Sequence, residues 1–187
     1  MSSHHIVREN QELALLVAAV GVLDSEQMGQ LLEWSPTILA DDQTVDFLLA
    51  EQIKVDIVFT NRAASYYQEQ IKTLPLERGL LIDGLSYLAK SNYGSVNILC
   101  DTLPDDLCAH VNGLTAVVFC DDRRYVYVQH RYEKWKEAGS RIFVQENVLK
   151  SLSGLRKIAR HVFETEQDGF FYLEFNTDRV VTVGEDL

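Results

Sequence analysis

The sequence predicts an α/β fold, in which an N-terminal Rossmann-like, doubly wound parallel sheet is followed by a small antiparallel β-sandwich. Over the first two thirds of the 187 residues, short apolar runs alternate with amphipathic segments of helical period. After Asp121-Asp122 the pattern changes to short β-rich runs separated by glycine and by Asn/Asp turns. We therefore expect two domains, residues 1–121 and residues 122–187.

Five buried parallel strands are predicted in the first domain because each is a short apolar run that ends at polar residues. They cover 13–19, 37–40, 56–59, 96–100 and 116–120. Helices are predicted between them over 25–34, 44–52, 65–73, 80–90 and 105–113. The first helix has Asp24 or Ser25 as its N-cap. The helix over 80–90 places leucines on one face, and Gly94 is the expected left-handed residue after it.

The second domain is expected to consist of antiparallel hairpins with one covered face. Its β-rich runs cover 125–128, 141–144, 170–175 and 179–183. Within the third run, Phe171, Leu173 and Phe175 alternate with Tyr172 and Glu174. This period of two is typical of a strand with one buried face.

Charge and cysteine content restrict the partners and the compartment. The net charge of −11 and the pI of about 4.8 disfavour nucleic-acid and membrane binding, since both partners are anionic. The three cysteines form no Cys-x-x-Cys pair and no zinc-ligand spacing with histidine, which favours a reducing, cytoplasmic location. The apolar run over 13–23 is too short to span a bilayer, and its first half is read as a strand.

Several segments resemble a known family. Four segments are similar to the corresponding segments of thiamin pyrophosphokinases. They are Gln30 to Thr37 with Asp42, the stretch Gln52-Ile53-Lys54-Val55-Asp56-Ile57-Val58, the crossover Asp121-Asp122 into Tyr125-Val126-Tyr127-Val128, and Tyr132-Glu133-Lys134-Trp135 with Ala138-Gly139-Ser140. The resemblance runs, with gaps, along almost the whole chain. It implies an α/β half and a small β-sandwich, a homodimer, and pyrophosphoryl transfer from ATP to thiamin. Such a transfer uses Mg²⁺ held by carboxylates against the phosphates.

Most of the residues that the family uses for this chemistry are absent. Asp42 matches the Asp of the family's Asp-Gly motif, but Gln43 stands in place of the glycine. The family's Gly-Asp-Phe-Asp motif corresponds to residues 60–63, which include Asn61 and Arg62 and contain neither carboxylate. Of the family's Lys-Thr-Asp helix start only Asp83 is left, and the Gly-x-Arg-x-Asp-His motif has no counterpart in 103–108. Mg²⁺ and ATP are therefore expected as cofactors only if the family activity survives.

Six residues are the candidate site. Asp42, Asn61, Arg62 and Asp83 form a remnant nucleotide or metal corner, because the C-terminal ends of parallel strands meet at one edge of the sheet. Arg62 has two open roles, neutralising a phosphate or pairing with Asp42. Asp41-Asp42 also has a second interpretation, as a cap for the helix that follows. Trp135 and His161 are assigned to a ligand or dimer seam, since the family builds each site between one subunit's α/β half and its partner's β half.

Three functions follow from these residues. The first, which we favour, is a thiamin pyrophosphokinase-like protein that keeps the fold and dimer, has lost or greatly weakened catalysis, and binds a nucleotide, thiamin or a protein partner. The second is an active enzyme with a metal site built from Asp42, Asn61 and Asp83. The third is an interaction module without a small-molecule site.

Overall fold

The computed structural model describes residues 13–63, 65–111 and 113–187. It divides into two units, the first ending at Asp121 and the second spanning Asp122–Leu187. Within the described ranges, no helix has both the length and the apolar character needed to cross a bilayer. The chain is a mixed α/β protein with a parallel sheet in its first unit and antiparallel sheets in its second.

The first unit contains a six-stranded parallel sheet. Its strands are β1 (Ala14–Val17), β2 (Thr37–Asp41), β3 (Ile57–Phe59), β4 (Lys72–Leu74), β5 (Ser95–Leu99) and β6 (Thr115–Cys120). Its helices are α1 (Ser25–Leu32), α2 (Val45–Ala50), α3 (Leu80–Lys90) and α4 (Leu107–His110). The strand order is β6-β5-β1-β2-β3-β4, and every neighbouring pair is parallel. The order changes direction between β1 and β5, which is where open α/β sheets place their ligands.

The ends of α1 and α3 show how local sequence sets the helix limits. Asp24 is the N-cap of α1, where its carboxylate accepts from the Gln27 amide at 2.8 Å and the Gln27 side chain accepts from the Asp24 amide at 3.1 Å. The predicted limits of α3 are confirmed. The left-handed residue after α3 is Asn92, with φ 61°, and the prediction of Gly94 was wrong. Asparagine tolerates that conformation better than other side chains do.

The predicted helix over 65–73 is also wrong. Its last residues form β4, which pairs with β3 in parallel. The residues before β4 are a loop held by Gln68, whose side-chain amide donates to the Val55 carbonyl at 2.5 Å and accepts from the Val55 amide at 2.9 Å. A side chain that replaces a strand neighbour in this way satisfies the backbone without a helix.

The second unit is an antiparallel β-sandwich of two sheets. Its strands are β7 (Arg123–Val128), β8 (Arg131–Lys136), β9 (Arg141–Phe143), β10 (Leu149–Ser153), β11 (Leu155–Ala159), β12 (Val162–Thr165), β13 (Gly169–Phe175) and β14 (Val181–Asp186). One sheet has the order β11-β12-β9-β14-β7 and the other the order β10-β13-β8. The predicted alternation on β13 is confirmed, because Phe171, Leu173 and Phe175 are buried in the core of the unit.

Candidate functional site at the carboxyl edge of the parallel sheet

Asp42 follows β2 and is bound to protein groups on both carboxylate oxygens. The Thr60 hydroxyl, directly after β3, lies 2.8 Å from one oxygen and 3.0 Å from the other. The Arg62 Nε lies 3.6 Å from Asp42, so the structure brings two of the predicted corner residues together. Of the two roles left open for Arg62, the structure shows the pairing with Asp42.

Asp41, the last residue of β2, organises the turn before α2. Its carboxylate accepts from the Gln43 amide at 2.9 Å, and the Thr44 hydroxyl donates to the Val17 carbonyl at 2.8 Å. Thr44 is the N-cap residue of α2 but makes no side-chain capping bond. Asp41 alone therefore closes the turn between β2 and α2, and this explains Asp41 without a ligand. The interpretation of Asp41-Asp42 as a helix cap was wrong, because the N-cap residue of α2 is Thr44 and Asp42 binds Thr60 instead.

Asn61 is engaged with the loop that follows β4. Its side-chain amide donates to the Leu76 carbonyl at 2.5 Å and accepts from the Leu76 amide at 3.1 Å. Both polar atoms of the side chain thus bind backbone. Asn61 ties the end of β3 to the β4–α3 loop, and its oxygen is already an acceptor there.

Asp83, in the first turn of α3, is 7% exposed and holds the same loop from the other side. Its Oδ2 accepts from the Glu77 amide at 2.7 Å and the Arg78 amide at 2.8 Å, and its Oδ1 accepts from Arg78 Nε at 3.0 Å. Burial alone would raise the pKa of Asp83, but these bonds outweigh it and hold the pKa below its ordinary value. The carboxylate is therefore ionised and accepts three hydrogen bonds from the protein.

These residues do not fit a magnesium ion. Asp42, Asn61 and Asp83 belong to three separate hydrogen-bond networks, and each already accepts hydrogen bonds from protein donors. Across residues 13–63, 65–111 and 113–187, no group of three His, Cys, Asp or Glu side chains is arranged to hold a metal. Magnesium requires hard oxygen ligands in near-octahedral array, with several of them charged when it binds polyphosphate.

A pocket of about 260 Å³ opens at the same edge, between the end of β1, the start of α3 and α4. Its lining includes Ala18, Arg78, Gly79, Leu80 and His110. Gly79 precedes α3 with φ 98° and makes no side-chain cap, so the first-turn amides of this helix have no capping side chain. The helix dipole favours an anionic group at this end of the pocket. The two basic side chains in the lining are paired with carboxylates, Arg78 with Asp83 and His110 with Asp106, which also lines the pocket.

A second cavity of about 330 Å³ lies between the β1–α1 loop, α1 and α2. It is lined mainly by apolar residues, among them Val20, Met28, Phe47 and Ile53. Val20 and Phe47 are 40% and 46% exposed, so this cavity is an open apolar groove. None of its lining residues was predicted from the sequence to be a site residue.

Trp135 and His161 occupy different parts of the second unit. Trp135 on β8 is 50% exposed and lies opposite Phe170 of β13, which is 68% exposed. His161 forms the β11–β12 turn with φ 64°, where its Nδ1 accepts from the Glu146 amide at 3.2 Å and its own amide donates to Glu146 Oε1 at 2.8 Å. His161 thus has a structural role, whereas Trp135 is free to make an external contact.

One polar cluster was missed from the sequence. Glu185 on β14 is 1% exposed and accepts hydrogen bonds from Tyr132, Lys134 and Lys136, with Arg124 nearby. A signal was present, since residues 132, 134 and 136 are spaced two apart and therefore share one face of a strand. What the sequence lacked was any indication that Glu185 faced them.

The fold and the edge pocket define a class of two-unit proteins, in which a parallel α/β unit with a switch-point pocket precedes an antiparallel β-sandwich. Solved structures of thiamin pyrophosphokinases have this fold. Similarity extends to the enzyme from Geobacillus thermodenitrificans, with a TM-score of 0.67 and 8% identity over 94% of this chain and 97% of that one. For the enzyme from Bacillus subtilis the values are 0.62 and 10% over 93% and 98%, and for the yeast enzyme 0.56 and 6% over 97% and 88%.

These likenesses confirm the predicted thiamin pyrophosphokinase-like fold. At such low identity they establish the fold alone. No family model matches the sequence, and no curated protein matches it.

Proposed function

We propose that the protein is a catalytically degenerate thiamin pyrophosphokinase-like protein, with a Rossmann-like first unit, that binds a phosphate-bearing or cationic small molecule of the thiamin and nucleotide class without transferring a pyrophosphoryl group. The observation that carries this proposal is the occupation of Asp42 and Asp83 by protein donors. Phosphoryl transfer depends on positioned metal ions that neutralise the polyphosphate. A sheet edge whose carboxylates already serve the fold lacks the means to hold them.

The charge balance at the corner supports the same conclusion. Asp42 is compensated by Arg62 at 3.6 Å, and Asp83 by Arg78 at 3.0 Å. A divalent cation placed there would meet two carboxylates that each have a guanidinium partner, so little negative potential is left to attract it. The second open hypothesis, an active enzyme using Asp42, Asn61 and Asp83, would require all three networks to be rebuilt.

Ligand binding is supported by the 260 Å³ pocket beside the first turn of α3. Uncapped amides at that helix start offer donors to a phosphate group. Arg78 and His110, which pair with Asp83 and Asp106, line the same pocket. The position at the β1–β5 switch point is the one at which α/β sheets bind nucleotides. We also propose a cytoplasmic location, because the three cysteines of the sequence form no Cys-x-x-Cys pair and no zinc-ligand spacing.

Calorimetric titration of the whole protein with thiamin and with Mg-ATP, followed by a product assay in the same samples, tests the proposal. We expect saturable binding of one or both compounds and no thiamin pyrophosphate. His110→Gln should weaken nucleotide binding, whereas the control His130→Gln in the second unit should not. Formation of product would refute degeneracy, and absence of binding to both compounds would refute a retained ligand site.

An interaction role is favoured by one further observation, the exposed aromatic pair formed by Trp135 and Phe170. Exposed aromatic side chains are enriched where proteins associate. For the homodimer that we propose from the family resemblance, Trp135→Ser should lower the sedimentation coefficient of the protein. Trp34→Ser, at a tryptophan that is 76% exposed in the first unit, is the matched control. Equal behaviour of both variants and the wild type would exclude Trp135 from a dimer contact.

A further inference from the structure

A cluster of positive charge lies between the two sheets of the second unit. Lys134 and Lys136 on β8 place their Nζ atoms 2.6 Å and 2.8 Å from the same carboxylate oxygen, Oε2 of Glu185. The Arg124 guanidinium, from β7, lies 3.9 Å from that oxygen. The other oxygen accepts from the Tyr132 hydroxyl at 2.7 Å.

The charges of this cluster do not balance. Glu185 supplies one negative charge, whereas the three side chains around it supply three positive charges. Burial would raise the pKa of Glu185, but the hydrogen bonds from Lys134, Lys136 and Tyr132 hold it below its ordinary value, so the carboxylate is ionised at neutral pH. Burial lowers the pKa of Lys134, and the nearby Arg124 and Lys136 lower it further, which is the mark of cations held together.

The geometry leaves donors available to a ligand. Each ammonium group carries three N–H donors, and Glu185 takes one from each. The side chains of Lys134, Lys136 and Arg124 are 31%, 24% and 33% exposed, while Glu185 itself is sealed from solvent. Because both ammonium groups touch one oxygen atom, they lie close enough together for a single tetrahedral oxyanion to contact both.

We propose that Arg124, Lys134 and Lys136 form a binding site for a small oxyanion of the phosphate class, with Glu185 as the buried anchor that fixes the two ammonium groups. A phosphate group would supply the negative charge that the cluster lacks, through charge-assisted hydrogen bonds. The rest of the protein argues against unspecific anion binding, since its net charge is −11. This site lies in the second unit and does not depend on the edge pocket of the first.

Titration of the full chain with inorganic phosphate at constant ionic strength tests this site, with heat and amide chemical shifts as readouts. We expect saturable binding that weakens at least about tenfold in Lys134→Met and in Lys136→Met. Lys150→Met is the matched control, because Lys150 forms an ion pair with Glu174 in the same unit at 61% exposure. Circular dichroism establishes that each variant is folded before it is titrated.

The wild-type titration keeps the test decisive even if a lysine variant does not fold. Absence of saturable phosphate binding to the wild type overturns the proposal, as does undiminished binding in both lysine variants or an equal loss in Lys150→Met. Phenyl phosphate as a second probe separates the sources of the anion. Equal affinity for both probes identifies a site for free inorganic anion, and tighter binding of phenyl phosphate identifies a site for a phosphate monoester.

Discussion

Replacing Asp83 by asparagine separates the two roles that this residue can have, a structural acceptor or a metal ligand. The side chain keeps its shape and loses its charge. In the structure, its carboxylate accepts from two backbone amides, at 2.7 Å and 2.8 Å, and from Arg78 Nε at 3.0 Å. If these bonds are its role, Asp83→Asn destabilises the protein whether or not magnesium is present.

The magnitude follows from the bonds that change character. Two charge-assisted bonds, worth about 1.5–3 kcal/mol each, become neutral bonds worth about 0.5–1.5 kcal/mol each. The Arg78 contact adds little, since that side chain is 55% exposed and water replaces the carboxylate. We therefore expect a loss of about 2 kcal/mol in the free energy of unfolding.

The pH dependence gives an independent check. The pKa of Asp83 in the folded protein lies below its ordinary value of 3.8. The stabilisation is therefore complete above the unfolded pKa of about 3.9, and it disappears as the pH falls through the lower folded value. The difference between wild type and Asp83→Asn should be constant from neutral pH to about pH 5 and should narrow below about pH 4.

Urea unfolding with and without Mg²⁺, together with hydrogen exchange at the Glu77 and Arg78 amides, measures both effects. Asp101→Asn is the control, because Asp101 is exposed in the loop after β5. We expect faster exchange at the two amides in Asp83→Asn and an equal loss of stability in both buffers. A loss that appears only with Mg²⁺, or no loss at all, would contradict the structural role.

Two further substitutions test packing and buried charge. Gly84→Ala should destabilise the protein by about 1–3 kcal/mol, because the added Cβ would lie 2.5 Å from Leu16 Cδ1. Gly29→Ala in α1 is the control, and it should stabilise the protein by up to about 1 kcal/mol, because its added Cβ would meet nothing within 4 Å. Urea unfolding of both variants measures the free energy of unfolding, and an equal change in both would contradict close packing of Gly84 against Leu16. Glu185→Gln should cost about 3 kcal/mol at pH 7, because it leaves partly buried cations without their counter-ion. Since the folded pKa of Glu185 lies below 4.5, this difference should persist down to about pH 5 and shrink at lower pH, and a pH-independent difference would contradict the ion-pair account.

The fold was predictable where the spacing of apolar residues alone determines the secondary structure. Strand β2 and helix α3 begin at the predicted residues because each is an uninterrupted apolar or amphipathic run with clear polar ends. The helix predicted over 65–73 was wrong because the structure of this segment depends on hydrogen bonds between the Gln68 side chain and the backbone of Val55, which is distant in the sequence. Edge strand β4 is likewise short and mostly exposed, so its sequence carries little apolar signal.

For Asp42 the sequence indicated a position but not a role. Asp42 directly follows β2, and residues that follow parallel strands lie at the carboxyl edge of the sheet. Asp83 lies in the first turn of α3 and binds the β4–α3 loop, so the single corner formed by both residues stays a prediction. The sequence offered no means of distinguishing a carboxylate that awaits a metal from one that accepts backbone amides, since the residue type is the same. That distinction depends on Glu77 and Arg78, which lie in a loop of no recognisable pattern.

Residue type can therefore persist at an active-site position while the role of the residue changes. A carboxylate that binds Mg²⁺ must direct an oxygen lone pair at the ion. Asp83 directs both oxygens at its own loop, and Asp42 directs both at Thr60. Each bond stabilises the arrangement that excludes the ion, so restoring a single missing carboxylate would not restore a magnesium site. Recovery of metal binding would also require removing the donors, of which Thr60 and Arg78 are the two most directly involved.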